Sequence, residues 1–374
     1  IVPNIAKGWD ISEDLKTITI YMREGMKWSD GAPFTTEDVQ FWYEDMLLNP
    51  EVTPAIPSHF SPDGEVMKLE VVDTYTFRVT FSVPYPAFLG FLAAEYGNVG
   101  IHAPKHYLKQ FHIKYNPNAG ELAKGMGFET WWQSFNDRAG VIEAVRDPNR
   151  PSVDPWVLKE VAERGDKVFV RNPYYWKVDT EGNQLPYVDE LRRIFTPNME
   201  IQDLKLLSGE LNYGGCKLSL EHYPLYKANE KDGGFRTVLL SSDVRTNQGM
   251  TFNLWHKDPV LREIFRDVRF RQALSLGMNR QKINDMLFMG LATPWQATTS
   301  PALSFYEEGL GEYCTKYDPE RANQLLDEMG LKWDAQHKYR LRPDGQPLVL
   351  NIQYVDLGMS WGERLDRHTE CSIL

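Results

Sequence analysis

Cysteine is scarce in this chain: there are three in 374 residues, Cys216, Cys314 and Cys371. They are odd in number and far apart, so they form no metal-spaced set and no disulfide framework, and at most one bridge is available. Basic charge is not in excess. Lysine and arginine total 41 against 52 aspartates and glutamates, a formal net charge of −11. That balance argues against a nucleic acid or an anionic membrane as partner, although it leaves room for a local basic patch. No apolar run reaches the roughly 18 residues that a membrane-crossing helix needs. Repeats and low-complexity tracts are absent too, so neither a repeat array nor a flexible linker is expected. Ile1-Val2-Pro3-Asn4 opens with no basic region, apolar core or cleavage site, so no export signal is visible.

What is present suits a folded chain. Apolar residues make up 42% and aromatic residues 13%, enough to bury a large core, and the length suggests about two domains. Thr17–Met22 alternates as a strand. Thr35 followed by Asp38 is a variant capping box, and Val39, Trp42, Tyr43, Met46 and Leu47 then share one helix face. Residues 66–72 and 76–82 read as a hairpin about Asp73-Thr74, with Phe77, Val79 and Phe81 facing one way and Pro84 and Pro86 ending it. Residues 116–155 are rich in Gly, Asn, Pro and Trp and read as long ordered loops. Strand signals return at 167–170, 191–195, 238–240, 250–253 and 348–354. Between them lie two capped helices in tandem. Asp267 opens the first, with Val268, Arg271, Ala273, Leu274 and Leu276 on its inner face. Asn279 opens the second, which carries Ile283, Met286 and Leu287 and stops at Gly290. Interspersed strands and helices predict an α/β fold.

Two patterns with catalytic or metal-binding overtones carry little. Gly358-Met359-Ser360-Trp361-Gly362 matches a nucleophile elbow, but only Asp366 and His368 follow it, with no sheet left to position them. His102 and His106 stand at i and i+4, yet Pro104 between them disfavours a continuous helix and no third ligand sits at the needed spacing. Glu37-Asp38 and Asp318/Glu320 lie at helix starts, where the helix dipole accounts for them.

The wording of the tandem helices, from Asp267 to Arg280, resembles the "D-x-R-V-R-Q-A-L-x-x-A-I-N-R" segment of the large extracytoplasmic solute-binding proteins of ABC importers, family 5. Phe270 replaces Val, and Gly277 and Met278 replace Ala and Ile. Trp28–Val39 is similar to that family's "W-x-D-G-x-P-x-T-A-x-D-V", and Asn172–Trp176 to its "N-P-x-Y-W". Pro186–Glu190, Leu207–Leu211 and Tyr317–Leu326 follow in the family's order, with Asn212 where Asp is usual. The resemblance implies a type II periplasmic-binding-protein fold: two α/β lobes around a cleft, residues 1–252 and 253–374, the second lobe incomplete in this chain. An exported member should carry a signal, so the start implies processing or truncation. At the far end the chain reads as a fragment or as a short form. The resemblance further implies a periplasmic or otherwise extracytoplasmic receptor, lipid-anchored at the cell surface in some settings. Its partners would be an oligosaccharide or oligopeptide and the permease subunits of an ABC transporter. No cofactor is implied; some relatives carry nickel or haem, but nothing in this sequence points to metal cargo.

Several aromatic residues sit beside amides in polar, loop-like surroundings: Tyr96 with Asn98, Trp131 and Trp132 beside Gln133, Trp255 with Asn253, and Trp295 with Gln296. Flat rings stack on sugars or peptide side chains while amides fix orientation, so these eight are the candidate ligand-binding residues. The competing reading is that each Trp simply packs. Trp28, Trp42, Tyr175 and Trp176 lie in the scaffold motifs and read as core. The segment Val178–Tyr187 resembles the sugar-binding branch of the family, which favours oligosaccharide slightly over peptide. Two other readings stay open: a glycoside- or ester-hydrolysing enzyme, and a sensory or adhesion receptor on the same fold.

Overall fold

The computed structural model describes residues 2–352 apart from 94–100, 141–146, 215–217, 219, 241–249, 300, 302 and 304. By packing, the chain divides into two units, residues 1–195 and 196–374. The lobe division that the resemblance implies is a different one, at 252–253.

The first unit is built on strands β1 (Ala6–Ile11), β2 (Thr17–Met22), β3 (Lys68–Asp73) and β4 (Thr76–Thr80), ordered β1-β2-β4-β3 with every pair antiparallel. The alternation in β2 works as expected, because Ile18, Ile20 and Met22 are buried while their neighbours are partly exposed. Phe77, Val79 and Phe81 add their side chains to the same core. Helix α1 (Thr36–Phe41) starts at Thr35 with the capping box in place, then widens into a π-type turn over Trp42–Leu47. That turn carries Asp45 inward, where the Lys114 ammonium and the Tyr115 hydroxyl each donate to it at 2.6 Å. Trp28 and Trp42 are buried in this core and Trp176 packs against it. A three-stranded antiparallel sheet follows, β5 (Trp156–Val161), β6 (Lys167–Arg171) and β7 (Glu190–Arg193), in the order β5-β6-β7.

Residues 116–155 are not continuous loop. After α2 (Phe88–Ala93) and α3 (Lys105–Leu108) come α4 (Ala119–Gly125) and α5 (Trp131–Ala139). Helix α5 begins with a capping box: the Thr130 hydroxyl accepts from the Gln133 amide, and the Gln133 side chain accepts from the Thr130 amide. Beyond it, Asp147 ties the segment down. It accepts from the Tyr107 hydroxyl and the Arg138 guanidinium, and from the Asn149 amide at 2.9 Å. Burial opposes its ionisation, but these three donors outweigh burial and hold its carboxyl below the usual range. A carboxyl depressed on folding stabilises above its unfolded pKa and loses that contribution as pH falls through the lower folded value. Asp147→Asn is therefore expected to destabilise the first unit at pH 7 and to flatten its acid unfolding below about pH 4. Parallel acid titrations of the two proteins, followed by far-UV circular dichroism, check this; identical midpoints and slopes would refute it.

The second unit contains α6 (Met199–Leu207), α7 (Tyr223–Gly233), α8 (Pro259–Arg266), α9 (Val268–Gly277), α10 (Arg280–Leu287) and α11 (Pro319–Glu328). Asp267 and Asn279 cap α9 and α10 as their positions predict. The inner face differs, however. Phe270 and Ala273 are the buried residues of α9 while Val268 is exposed, because Phe252 and Phe265 lie against Phe270. In α10 the buried residue is Asn284, and Met286 points to solvent. Asn284 both donates to and accepts from the Ala292 backbone, closing the turn after the helix. Helix α11 packs on α9 through Ala322 and Leu325 against Ala273.

The strands expected at 238–240, 250–253 and 348–354 do not form among the described residues. Tyr354 lies outside them. Phe252, Leu348 and Leu350 pack on the core of Leu261, Ile264, Phe265, Phe270 and Leu331. Their alternation buries one side of an extended chain, but a ladder also needs a neighbouring strand.

Candidate functional site

The eight candidate residues meet different environments. Tyr96 and Asn98 lie outside the described residues. Trp131 opens α5 and is core: 8% exposed, its ring stands edge-on to His112 at 4.6 Å, with Phe135 behind. Trp132, one residue on, is half-buried against the same core. Gln133, the amide that suggested a polar pocket, is spent on the cap, its side-chain oxygen accepting from the Glu129 and Thr130 amides. The capping signal Thr130-x-x-Gln133 was legible and outranks the loop reading.

Asn253 and Trp255 form a surface platform. The Asn253 side-chain oxygen accepts the Trp255 amide at 3.0 Å, a local turn that turns the indole outward. Trp255 is 82% exposed. The Arg266 guanidinium stands over its ring, 5.0 Å from the centroid, and also donates to the Leu254 carbonyl. The ring is thus backed by a cation and held at a fixed angle.

Trp295 and Gln296 belong to a denser polar cluster. The Gln296 amide group donates to the Ser275 hydroxyl at 2.8 Å and to the Tyr313 carbonyl at 2.9 Å. Ser275 in turn donates to the Cys314 carbonyl and receives the Arg280 guanidinium at 2.8 Å. Burial holds that guanidinium's pKa below its ordinary value. Trp295 lies near-parallel to Tyr306, with 6.5 Å between centroids. Its other neighbour is the Gly311 backbone, where an added Cβ would stand 3.2 Å from the indole. A side chain at Gly311 would crowd the indole and the Thr298 methyl. The hydroxyls of Thr298 and Thr299 are enclosed without a hydrogen-bond partner among the described residues. Ser275, Arg280, Tyr306 and the two threonines were not picked out from sequence, since they come from three separate segments.

His106 pairs with Asp30 at 2.8 Å, and half-buried His102 lies beside Trp28 and Phe34, where burial keeps its imidazole pKa below the ordinary value. Among the described residues no group of three or more His, Cys, Asp or Glu side chains could hold a metal ion. The Gly358–Gly362 motif lies outside the described residues. Among them, no helix is long and apolar enough to cross a membrane.

Comparison with known proteins places this geometry in context. The periplasmic alpha-galactoside-binding protein of Rhizobium meliloti (strain 1021) is 33% identical over 345 residues, 88% of this chain and 46% of that protein. A solved structure described as oligopeptide-binding protein OppA is 39% identical, with a TM-score of 0.73, over 100% of this chain and 59% of its own. The periplasmic binding protein MelB of Agrobacterium fabrum C58, solved in complex with stachyose, shares the fold at a TM-score of 0.61 and 24% identity, over 99% of this chain and 55% of its own. The chain spans about half the length of the curated relatives it matches. Its mixed helices and sheets are those of periplasmic binding proteins. The motifs from Trp28 to Leu326 also fall inside one continuous match to a single family model, over residues 1–359, so the chain belongs to the bacterial extracellular solute-binding proteins, family 5 Middle.

Proposed function

We propose that this chain is the ligand-binding portion of a periplasmic or otherwise extracytoplasmic receptor that serves an ABC importer. It encloses an oligosaccharide between two lobes divided near residues 252–253 and hands it, chemically unaltered, to the permease subunits. Closure of hinged lobes suits this task because the ligand supplies contacts that only the shut form makes. The observation that carries the reading is the family match over residues 1–359. The oligosaccharide class draws on the 33% identical relative named for alpha-galactosides and on Trp255, a cation-backed ring beside an amide. Short peptide is the second reading, favoured by the 39% identical structure named for oligopeptides. No covalent step is assigned to any residue.

Titration calorimetry on the full-length protein, against alpha-galactosides of two to four units and peptides of two to five residues, separates the two classes. Saturable heat from one class, with that ligand recovered intact by chromatography, supports capture; shortened product would identify an enzyme instead. Trp255→Ala is expected to weaken binding of the favoured ligand by about 1–3 kcal/mol, with little change in unfolding midpoint, if its exposed face stacks on cargo. Unaltered affinity in that variant would remove Trp255 from the site. Trp295→Ala should weaken binding too, but it should also lower stability, because its ring is packed between Tyr306 and Gly311.

A further inference from the structure

The capture reading leaves His112 without a role, although its ring is 2% exposed and committed on every side. Trp131 and Phe135 stand edge-on to it at 4.6 and 5.2 Å, with Tyr115 and Phe41 at 5.7 and 6.3 Å. The Lys114 backbone amide donates to Nδ1 at 3.1 Å, so that nitrogen carries no proton. The single proton of the neutral ring therefore sits on Nε2, which donates to the Asp45 carbonyl at 3.2 Å. With that proton in place, the Asn49 amide nitrogen, 3.3 Å from Nε2, is a neighbour and not a donor.

Local sequence explains why Asp45 takes a donor from outside its own helix. Where α1 widens, the Leu48 amide reaches back five residues to the Tyr43 carbonyl. The same spacing from Asp45 leads to Pro50, which has no N–H. His112 supplies the donor that proline withholds. The Asp45 side chain, 4% exposed, adds two further ties by accepting from the Lys114 ammonium and the Tyr115 hydroxyl. Residues 112–115 are thus laced to the widened turn, and the His112 ring wedges α5 against both.

A second proton has no place in this arrangement. It would sit on Nδ1 and point at the Lys114 N–H, setting two donors face to face. We infer that His112 is a pH-sensitive latch, holding residues 112–116 and α5 on the widened turn while neutral and releasing them when protonated. The charged groups around the ring pull both ways. The Asp45 and Glu51 carboxylates favour the cation and the Lys114 ammonium opposes it, but burial is the largest influence and keeps the imidazole pKa below its ordinary value. A base whose neutral form is favoured by folding stabilises fully above its unfolded pKa, about 6.5, and loses that contribution as pH falls toward the lower folded value. Release therefore begins below about pH 6.5, before most carboxylates titrate.

Two measurements on the full chain test the latch. Nitrogen-15 NMR of histidine-labelled protein, with the His112 signals assigned through His112→Asn, should show a bare Nδ1 and a protonated Nε2 at pH 7.5. Its midpoint should lie below the ordinary histidine value. Amide exchange is then followed from pH 7.5 to 5.5 at Lys114, Tyr115 and Asn116, whose N–H groups all bond to His112. Once intrinsic rates are divided out, protection there should fall by up to about tenfold per pH unit below about 6.5. His112→Asn keeps an oxygen to accept the Lys114 amide but cannot titrate, so in it this dependence should be largely lost. A proton on Nδ1 at pH 7.5, a midpoint at or above about 6.5, or protection that does not change with pH would overturn the inference. The same fall in His112→Asn as in wild type would overturn it too; if that variant does not fold, the wild-type tautomer, midpoint and exchange still decide. None of these outcomes bears on cargo capture, which calorimetry measures separately.

Discussion

Asp38→Ala is expected to destabilise the first unit by about 3–5 kcal/mol, more than any single change at its surface. Asp38 is 4% exposed, and one carboxylate there serves three donors. The Trp28 indole N–H, the Thr35 amide and the Lys105 amide all donate to it, each at 3.1 Å. Those bonds join a core tryptophan, the start of α1 and the start of α3. Alanine would strand buried donors, each worth about 1–3 kcal/mol when left unpaired, and would remove half of the capping box. Burial pushes the Asp38 carboxyl above the usual carboxylate range, against the pull of its three donors. Asparagine has no charge to desolvate and keeps one accepting oxygen, so Asp38→Asn should recover part of the loss. Urea unfolding of the three proteins, followed by tryptophan fluorescence, gives the ordering. An alanine variant within about 1 kcal/mol of wild type would show that the carboxylate is not the tie we describe.

Much of the scaffold was legible because its signals are local. The Thr35 cap, the hairpin at Asp73-Thr74 and the caps Asp267 and Asn279 each depend on residues within a few positions of one another. Helix α5 carries an equally local signal at Thr130 and Gln133, but Gly, Asn and Pro on both sides masked it. The candidate site was far less legible, and Trp131 and Trp255 show why. Each stands near an amide in sequence, Gln133 in one case and Asn253 in the other. Gln133 is drawn into the cap and its helix turns Trp131 inward to 8% exposure, whereas Asn253 makes a turn that leaves Trp255 82% exposed. Which face of a ring stays open is decided by neighbours from distant segments, as Gly311 and Tyr306 decide it for Trp295. The missing ladders at 250–253 and 348–352 belong to the same class, since period-two alternation specifies an extended chain but not a partner.

Phe270→Ala should produce the second large effect, a loss of about 3–5 kcal/mol in the second unit, while Val268→Ala two positions away should change stability by no more than about 0.5 kcal/mol. Both residues lie within the segment, Asp267 to Arg280, that resembles the family's, and a face drawn from sequence period alone puts Val268 inside. The structure reverses this: Phe270 is 1% exposed and Val268 is 53% exposed. Phe270 meets Phe252 edge-on at 5.7 Å and Phe265 at 5.9 Å, so truncation opens a cavity among rings that cannot collapse into it. Phe270→Val, which restores the residue usual in the family segment, should fall between the two, because it refills part of that volume. Amide exchange across α9 reads the effect in this unit alone. Protection there should drop steeply in Phe270→Ala and hold in Val268→Ala; equal protection in both variants would mean that α9 does not rest on its aromatic side, and the packing of the second core would have to be redrawn.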